Sequence, residues 1–368
     1  MTQMIHDLVL NVCKPPGITS FDVVSRVRRL LGIRKVGHCG TLDPFARGVL
    51  VICTGKGTRI SEYLMRRTKV YEGVMRFGVK SSTGDPEGEI IETRDSSMVT
   101  PSSLGEVIPR FTGKIMQRPH RVSAIKINGQ RLYDLAREGK PVEAEAREVS
   151  IDNLELLWFT GEDPEPFASS LCENHLVSPG PDGEVDALFR IQCSSGTYIR
   201  SLAEDIGEAL GTVGMLMSLV RTSVGDFRIS NSLPIEKYDQ LTALEELPSS
   251  AVCDLNTALS FMPELICADS SVRSICNGGS LLESDLGDDL PQIDDEALVR
   301  ILDSRGALLA LHRRSSRIYG GFTRPEKVLA SFEDSGCRDE TDFSDTSDVS
   351  DASDENADSA ESGDSEKH

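Results

Sequence analysis

The segment Gly37–Gly48 concentrates side chains that could do chemistry. It reads GHCGTLDPFARG and brings a histidine, an aspartate and three glycines into one short link. Pro44 restricts Asp43 to an extended conformation, while glycine permits backbone shapes that are closed to other residues. Such a loop can hold the carboxylate at a fixed angle, as a nucleophile, a general base or a metal ligand. An aspartate before proline is also a common turn former, so both interpretations stay open at this point.

Other kinds of catalytic site find little support in the sequence. His38 and Cys39 are adjacent, so their side chains diverge, and no second His or Cys stands at the usual spacing of metal ligands. Thr54–Thr58 reads TGKGT but lacks the spacing of a phosphate-binding loop. No GxSxG elbow marks a serine nucleophile. We therefore expect no metal centre.

The elements that must position Asp43 follow from hydrophobic spacing. Leu8–Cys13 predicts a strand, and Ser20 is placed to cap a helix that stops at Gly32. GVLVICT, at Gly48–Thr54, is typical of a buried strand. Asp43 is therefore expected between a helix and a buried strand.

Further elements mix strands with helices. Lys69–Val79 alternates in polarity, which places Tyr71 and every second residue up to Phe77 on one face of a strand. The remaining predicted elements are a short helix at Thr58–Met65, strands at Val122–Ile127 and Val185–Cys193, and helices at Gln130–Glu138 and Tyr198–Leu210. The Asn128-Gly129 pair favours a hairpin turn. This mixture predicts an α+β fold rather than a strict βαβ repeat.

Charge is distributed unevenly along the 368 residues. The net charge of −20 divides into +8 over residues 1–150, −16 over residues 151–332 and −12 over residues 333–368. A basic first part can attract phosphate groups whatever the total charge, although +8 is also compatible with ordinary surface variation. The last stretch is almost all Ser, Asp, Glu and Ala, so we expect it to be disordered.

Composition and the first residues of the sequence indicate the compartment in which the protein acts. No apolar run reaches the ~20 residues that span a bilayer, and the first residues do not resemble a signal peptide. The nine cysteines form no CxxC pair. These features predict a cytoplasmic protein without a disulfide framework.

Five ordered motifs resemble the TruB-type tRNA pseudouridine synthases. They are the segments Lys14–Arg59, Lys69–Ile90, Ser123–Gly139, Ser194–Gly211 and Leu219–Phe227. The resemblance implies an isomerase of the bacterial stand-alone form, which converts uridine 55 of the TΨC stem-loop of tRNA to pseudouridine. It also implies that neither a metal nor an organic cofactor is used and that no guide RNA takes part. We further expect a monomer with no membrane association.

The same resemblance assigns roles to individual residues. Asp43 matches the catalytic aspartate, and Arg200 matches the arginine that pairs with it. Tyr71 matches the tyrosine that stacks on the target base and is implicated in proton abstraction. His38 matches a histidine that helps to hold the flipped-out stem-loop. The remaining matches line the site: Lys14, Asp85 and Tyr198.

These roles suit the reaction. The target base must leave its stack, and an aromatic ring can replace the lost stacking, worth about 1–3 kcal/mol. An ionised carboxylate can attack C1′ or stabilise a cation-like sugar, and an arginine fork suits bidentate pairing. Leu219 and Val220, beside Arg221, are expected to form an apolar wall. Candidate contacts to RNA phosphates are Arg26, Arg28, Arg29, Arg34, Lys35, Arg59, Arg66 and Arg67.

The resemblance also sets the expected architecture. It predicts a mixed, mostly antiparallel sheet core of the pseudouridine synthase type with flanking helices over residues 1–250, with a loop insertion at about 160–183. A small PUA-like β domain is expected over residues 251–332, followed by the acidic tail 333–368. The chain departs from the family pattern at Cys39, at Arg47 and over Pro119–Val122.

Two other functions remain as alternatives. One is a catalytically silent tRNA-folding chaperone that uses the same RNA-binding surface. The other is a glycosidic hydrolase that uses Asp43 with a second carboxylate such as Asp85, since such enzymes need two carboxylates at a set separation.

Overall fold

The computed structural model describes residues 7–121, 126–127, 130–131, 144–161, 184–238, 247–286, 292–315 and 323–331. Most of the predicted insertion and the whole acidic tail lie outside these residues. So does the predicted helix over Gln130–Glu138 beyond its first two residues, and those two form a strand instead.

The strands in chain order are β1 (Val9–Lys14), β2 (Val36–His38), β3 (Arg47–Thr54), β4 (Lys69–Phe77), β5 (Val79–Ser81), β6 (Ile90–Thr93), β7 (Gly113–Gln117), β8 (Lys126–Ile127), β9 (Gln130–Arg131), β10 (Arg147–Phe159), β11 (Val185–Cys193), β12 (Gly214–Val224), β13 (Phe227–Arg228), β14 (Leu233–Pro234), β15 (Val252–Cys253), β16 (Glu264–Ile266), β17 (Leu298–Leu302), β18 (Leu308–Arg314) and β19 (Thr323–Val328). The helices are α1 (Ser20–Leu31), α2 (Ser61–Met65), α3 (Pro101–Val107), α4 (Ile199–Ala209), α5 (Ile235–Tyr238), α6 (Leu255–Ala258) and α7 (Asp269–Cys276). Helices and strands are mixed along the described residues without a regular βαβ repeat, as expected for an α+β protein.

One large sheet forms the centre of the molecule. Its strand order is β14-β1-β3-β12-β4-β11-β10-β7, with β2, β13 and β15 attached to β3, β12 and β1. The pairs β1–β14 and β3–β12 are parallel, and the other pairs in this sheet are antiparallel. The predicted mixed, mostly antiparallel sheet core is therefore confirmed.

Helix α1 packs its valines on β1 and β3. Val23, Val24 and Val27 lie in the same buried cluster as Leu50 and Ile52. The helix ends at Gly32, as predicted, but its N-cap is Thr19 rather than Ser20. The Ser20 side chain is buried and bonds to the loop that carries Asp43, so it was wrong to expect it to cap the helix.

Helix α4 covers the other half of the sheet. Its Leu202, Ala203 and Ile206 are fully buried in one cluster with Met75 and Phe77 of β4. The alternation predicted for β4 is therefore present, since Tyr71, Met75 and Phe77 share this cluster whereas Val74 packs in another. This packing fixes Arg200 near the start of α4 against the sheet.

A smaller sheet lies at the C-terminal side, in the order β16-β17-β18-β19. Its β17–β18 hairpin turns at Ser304–Gly306. The small sheet has its own buried cluster with α7. Leu311 and Leu329, however, pack in one cluster with Val49 and Val51 of the large sheet, so the two sheets share apolar core.

Candidate active site

The loop that carries Asp43 joins β2 to β3 and lies beside β12. Gly48, at the start of β3, pairs in parallel with Arg221 of β12. A Cβ atom on Gly48 would lie only 2.3 Å from the Arg221 carbonyl oxygen, and its φ is +114°. Only glycine satisfies both conditions. The close contact of the two strands therefore sets where the loop begins and ends.

Asp43 makes a two-point ion pair with Arg200. The Nε and Nη2 atoms of Arg200 donate to the two carboxylate oxygens of Asp43 at 3.0 and 3.1 Å. The Asp43 side chain keeps 34% of its surface exposed, whereas Arg200 is only 5% exposed. The carboxylate is thus oriented by a buried cation while one side of it still faces the cavity.

The remaining edge of Arg200 is held by the segment after β5. Its Nη1 donates to the Thr83 carbonyl at 2.9 Å and lies 3.3 Å from Asp85 Oδ2. Asp85 is buried and also accepts from the Thr83 hydroxyl at 2.5 Å. Asp85 was expected to line the site; it lies outside the lining of the cavity, on the far side of Arg200. It positions Arg200 from behind instead.

Lys14 also acts behind the loop rather than in the cavity. It is completely buried, and its Nζ donates to the carbonyls of Pro15, Ile18 and Pro44 at 2.8, 2.7 and 3.1 Å. Burial lowers the pKa of Lys14 to about 8, although the negative charge of Asp43 opposes this. Lys14 was expected to line the site; it lies outside the lining of the cavity and anchors the turn next to Asp43.

A second buried arginine, Arg221, holds the backbone of the same loop. It is 1% exposed. Its guanidinium donates to the carbonyls of Val49, Gly40 and Thr41 at 2.7, 3.0 and 3.2 Å. The sequence pointed to Arg221 only as the neighbour of an apolar wall. Its role depends on the long-range pairing of β3 with β12, which no local pattern reveals.

A cavity of about 280 Å³ opens in front of Asp43. It is lined by Gly40, Thr41, Leu42, Asp43, Met65, Lys69, Tyr71, Ser195, Gly196, Thr197, Tyr198, Ile199, Arg200, Leu219 and Arg221. Tyr71, Tyr198 and Leu219 lie there as expected. Val220 does not, because it faces the opposite side of β12 and packs with Val49 and Val51.

Tyr71 and Lys69 enter this cavity from β4. Tyr71 is 8% exposed, and burial raises the pKa of its hydroxyl, which stays protonated at neutral pH. Lys69 was not predicted; its Nζ donates to the carbonyls of Arg67, at 2.7 Å, and Met65. Burial lowers the pKa of Lys69 to about 8. The alternation of β4 places both residues on the same face, which is the signal that could have identified Lys69.

Tyr198 lines the cavity and is half-buried. Its backbone N–H donates to Gln117 Oε1 at 2.8 Å, and the Arg147 guanidinium lies 5.1 Å from the centre of its ring. His38 lies apart from the cavity, in β2. Its Nδ1 is buried without a hydrogen-bond partner among the described residues, and burial lowers its pKa.

The predicted RNA-binding cations differ in their availability. Arg29, Arg34, Lys35 and Arg66 are exposed, and Arg26 is half-buried. Arg28 donates to the Val36 carbonyl at 2.9 Å, and Arg67 stacks on Phe261. Arg59 is exposed, but its guanidinium bonds to the Val328 carbonyl of the small sheet. Arg28, Arg59 and Arg67 therefore also serve internal packing.

Metal-binding clusters and membrane-spanning helices are both absent from the described residues. No group of three or more His, Cys, Asp or Glu side chains is arranged to hold a metal ion in the part of the chain that the structure describes. Within the same residues, no helix is long and apolar enough to cross a membrane.

Known proteins of one family are similar in sequence to this chain. The profile of the TruB family pseudouridylate synthases (N-terminal domain) matches residues 28–199. The tRNA pseudouridine synthase B of Pelotomaculum thermopropionicum is 38% identical over 300 residues, 82% of this chain and 89% of that protein. The enzyme of the same description from Moorella thermoacetica is 36% identical over 322 residues, 87% of this chain and 98% of that protein.

A solved structure supports the fold. The structure described as a Cbf5–Nop10–Gar1 complex matches with a TM-score of 0.64 at 25% identity, over 90% of this chain and 87% of that chain. Sequence and fold thus lead to the same conclusion: this chain belongs to the TruB family of pseudouridylate synthases.

Proposed function

We propose that this protein is a tRNA pseudouridine synthase that isomerises uridine 55 in the TΨC stem-loop of tRNA. The single observation that carries the proposal is the two-point ion pair of Asp43 with the buried Arg200, at the edge of a cavity that contains Tyr71. The relatives described as tRNA pseudouridine synthase B support the choice of tRNA as substrate. The protein acts in the cytoplasm, as a monomer and without a guide RNA.

Asp43 is the catalytic carboxylate of this mechanism. Its ionised form attacks C1′ of the flipped nucleotide, or stabilises the positive charge that develops there as the N-glycosidic bond breaks. Arg200 pairs with the carboxylate at two points and fixes the direction of both oxygens. The exposed part of the carboxylate leaves room for the sugar.

Tyr71 holds the detached base. Its ring can stack on uracil and replace the stacking that the base gives up when it flips, worth about 1–3 kcal/mol. Because burial keeps the hydroxyl protonated, the resting side chain acts as a neutral ring rather than as a phenolate. The apolar side chains of Leu42, Ile199 and Leu219 restrict water while the uracil rotates. C5 then bonds to C1′, and any bond between Asp43 and C1′ breaks in the same step. C5 finally loses its proton and N1 takes one up, so the product is an isomer of the substrate.

RNA approaches over the exposed cations of the first part of the chain. Arg26, Arg29, Arg34 and Lys35 contact phosphates, with His38 supporting the flipped-out loop. Replacing Arg29, Arg34 and Lys35 together by Ala should weaken tRNA binding. The slope of log K against the logarithm of the salt concentration should become shallower by up to about 2–3 units. An unchanged slope would remove these residues from the binding face.

The domain organisation is part of the same proposal. Residues 1–250 form the catalytic domain, and residues 251–332 form a PUA-like module around the β16–β19 sheet. The acidic tail, residues 333–368, increases solubility. Size-exclusion chromatography with light scattering tests the monomer, since a mass of twice 40.1 kDa would contradict it.

The decisive experiment measures pseudouridine at position 55 of an unmodified tRNA transcript, with neither metal nor guide RNA added. We expect conversion by the wild type and a rate at least about 1,000-fold lower for Asp43→Asn, because the nucleophile is lost. Asp152→Asn, which changes an exposed aspartate on β10, is the matched control and should keep full activity.

Each contrary result identifies a different function. Release of free uracil would indicate the hydrolase, which Asp85 fits poorly because it lies behind Arg200 and outside the cavity lining. Binding of tRNA without conversion by the wild type would overturn the enzyme and favour the tRNA-folding chaperone.

A further inference from the structure

His120 lies between Arg200 and the next turn of α4. Its imidazole is nearly buried, with 4% of the side chain exposed. The Nδ1 atom is 3.4 Å from Arg200 Nη1, and the Nε2 atom is 3.5 Å from Glu204 Oε1. His120 is outside the cavity lining, and its contact with Arg200 links it to the site.

The partners of His120 define its tautomer. A guanidinium can only donate hydrogen bonds, so Nδ1 must accept from Arg200. With Nδ1 accepting, the ring N–H on Nε2 points to the Glu204 carboxylate, 3.5 Å away. The pKa of Glu204 is lowered: burial acts to raise it, but the hydrogen bond from His120 and nearby positive charges more than offset this. Glu204 is therefore an ionised acceptor.

The surrounding backbone leaves room for the ring. Gly84 has a φ of +68°, and a Cβ atom there would lie 3.0 Å from His120 Nε2 and 3.3 Å from Glu204 Oε1. A side chain at position 84 would press on both partners of this contact. The glycine thus allows the ring to sit between Arg200 and Glu204.

We infer that His120 is a positioning residue that orients Arg200 toward Asp43. This inference rests on the proposed function. The Nε and Nη2 edge of Arg200 faces Asp43. On the other side, the Nη1 atom contacts Thr83, Asp85 and His120. The contacts on Nη1 stop the guanidinium from turning away from the carboxylate. Glu204 in turn holds the imidazole ring of His120 in place.

Three substitutions at position 120 separate the two contacts of the ring. His120→Asn places an amide oxygen near the position of Nδ1 and can still accept from Arg200. His120→Gln reaches the position of Nε2 and can still bond to Glu204, but it lacks the acceptor for Arg200. His120→Leu removes both contacts and puts an apolar side chain of similar size in the place of the imidazole.

The measurement is kcat and KM for pseudouridine formation on the tRNA transcript, with thermal unfolding of each variant. We expect kcat to fall about tenfold in His120→Leu and His120→Gln, as for loss of one hydrogen bond to a charged group, with KM within about twofold. His120→Asn should keep kcat within about threefold of the wild type.

The outcomes distinguish this inference from the function on which it rests. A wild type that makes no pseudouridine overturns the proposed function and the inference with it. An active wild type with equally active His120→Leu overturns only the inference. If His120→Leu does not fold, the Asn and Gln variants decide, because equal kcat values for these two would contradict a role through Arg200.

Discussion

Two buried arginines hold the loop around Asp43 by different chemistry. In the Arg200 region, on α4, the guanidinium meets the carboxylates of Asp43 and Asp85. In the Arg221 region, on β12, the guanidinium meets main-chain carbonyls, including those of Val49 and Gly40. Both arginines are at most 5% exposed and both line the same cavity. Burial and location therefore do not identify a reactive arginine; the groups that it binds do.

The difference assigns separate tasks to the two regions. Carboxylate partners make Arg200 responsible for the charge and direction of Asp43. Carbonyl partners make Arg221 responsible for the path of the backbone that carries Asp43. Substitutions in the Arg221 region should therefore lower stability first, and substitutions in the Arg200 region should lower the rate first.

The largest expected effect comes from Arg221→Met, which keeps much of the side-chain volume. The carbonyls of Val49, Gly40 and Thr41 would lose their donor inside the protein. We expect the free energy of unfolding to fall by about 3–5 kcal/mol, because three buried carbonyls lose their partner at about 1–3 kcal/mol each. Urea unfolding followed by circular dichroism measures this loss. A loss below about 1 kcal/mol would contradict the structural role of Arg221.

The next effect is expected from Arg200→Lys, which keeps the charge but removes the two-point contact with Asp43. We expect kcat to fall about 100-fold, or about 2.7 kcal/mol in activation free energy, because lysine cannot present a planar fork. The free energy of unfolding should change less than in Arg221→Met. If Arg200→Lys unfolds more easily than Arg221→Met and keeps its rate, the division of tasks is wrong.

A smaller effect is expected from Ser20→Ala, which tests the loop from a third direction. The Ser20 hydroxyl donates to the Leu42 carbonyl at 3.0 Å and accepts from the Leu42 N–H at 2.9 Å. Both backbone groups would lose a buried partner, so we expect a loss of about 1–2 kcal/mol. Thr19→Ala is the matched control, since it removes only the cap of α1. A lower kcat in Ser20→Ala but not in Thr19→Ala would show that loop position affects the rate.

The smallest effect concerns pH and Lys69, whose pKa is lowered to about 8 by burial and then by the charge of Arg221. An unfolded lysine has a pKa near 10.4. Between about pH 8 and pH 10.4 the unfolded chain therefore binds more protons than the folded protein, and the free energy of unfolding rises with pH. From pH 7 to pH 9 the wild type should gain about 1 kcal/mol relative to Lys69→Met. Lys14 titrates in both proteins, so its contribution to the pH dependence cancels when the two are compared. Equal pH dependence of unfolding in the two proteins would contradict this shift.

Local sequence predicted local structure well. The strand at Val185–Cys193 and the end of α1 at Gly32 are confirmed, because hydrophobic spacing and glycine act over a few residues. The TruB family is likewise confirmed. The pairing of Asp43 with Arg200 followed from family resemblance rather than from any local rule, and the structure shows it.

The missed features depend on contacts between distant segments. Arg221 holds its loop because β3 and β12 run side by side, with Gly48 opposite Arg221. Ser20 was expected to cap α1, but Thr19 does so and leaves Ser20 free to bond to Leu42. Position 120 departs from the family pattern, but its contact with Arg200 is visible only in three dimensions. The catalytic roles of Asp43, Tyr71 and Arg200 stay predictions until they are measured.

Gly48 has a consequence for how this protein tolerates mutation. Any larger residue at position 48 would collide with the backbone of Arg221, at 2.3–2.9 Å. Backbone atoms cannot swing aside as a side chain can, so β3 would have to separate from β12. That shift would move Arg221 together with the start of the strand that follows Asp43. A single nucleotide change in the codon of one small residue outside the cavity lining can therefore inactivate the protein.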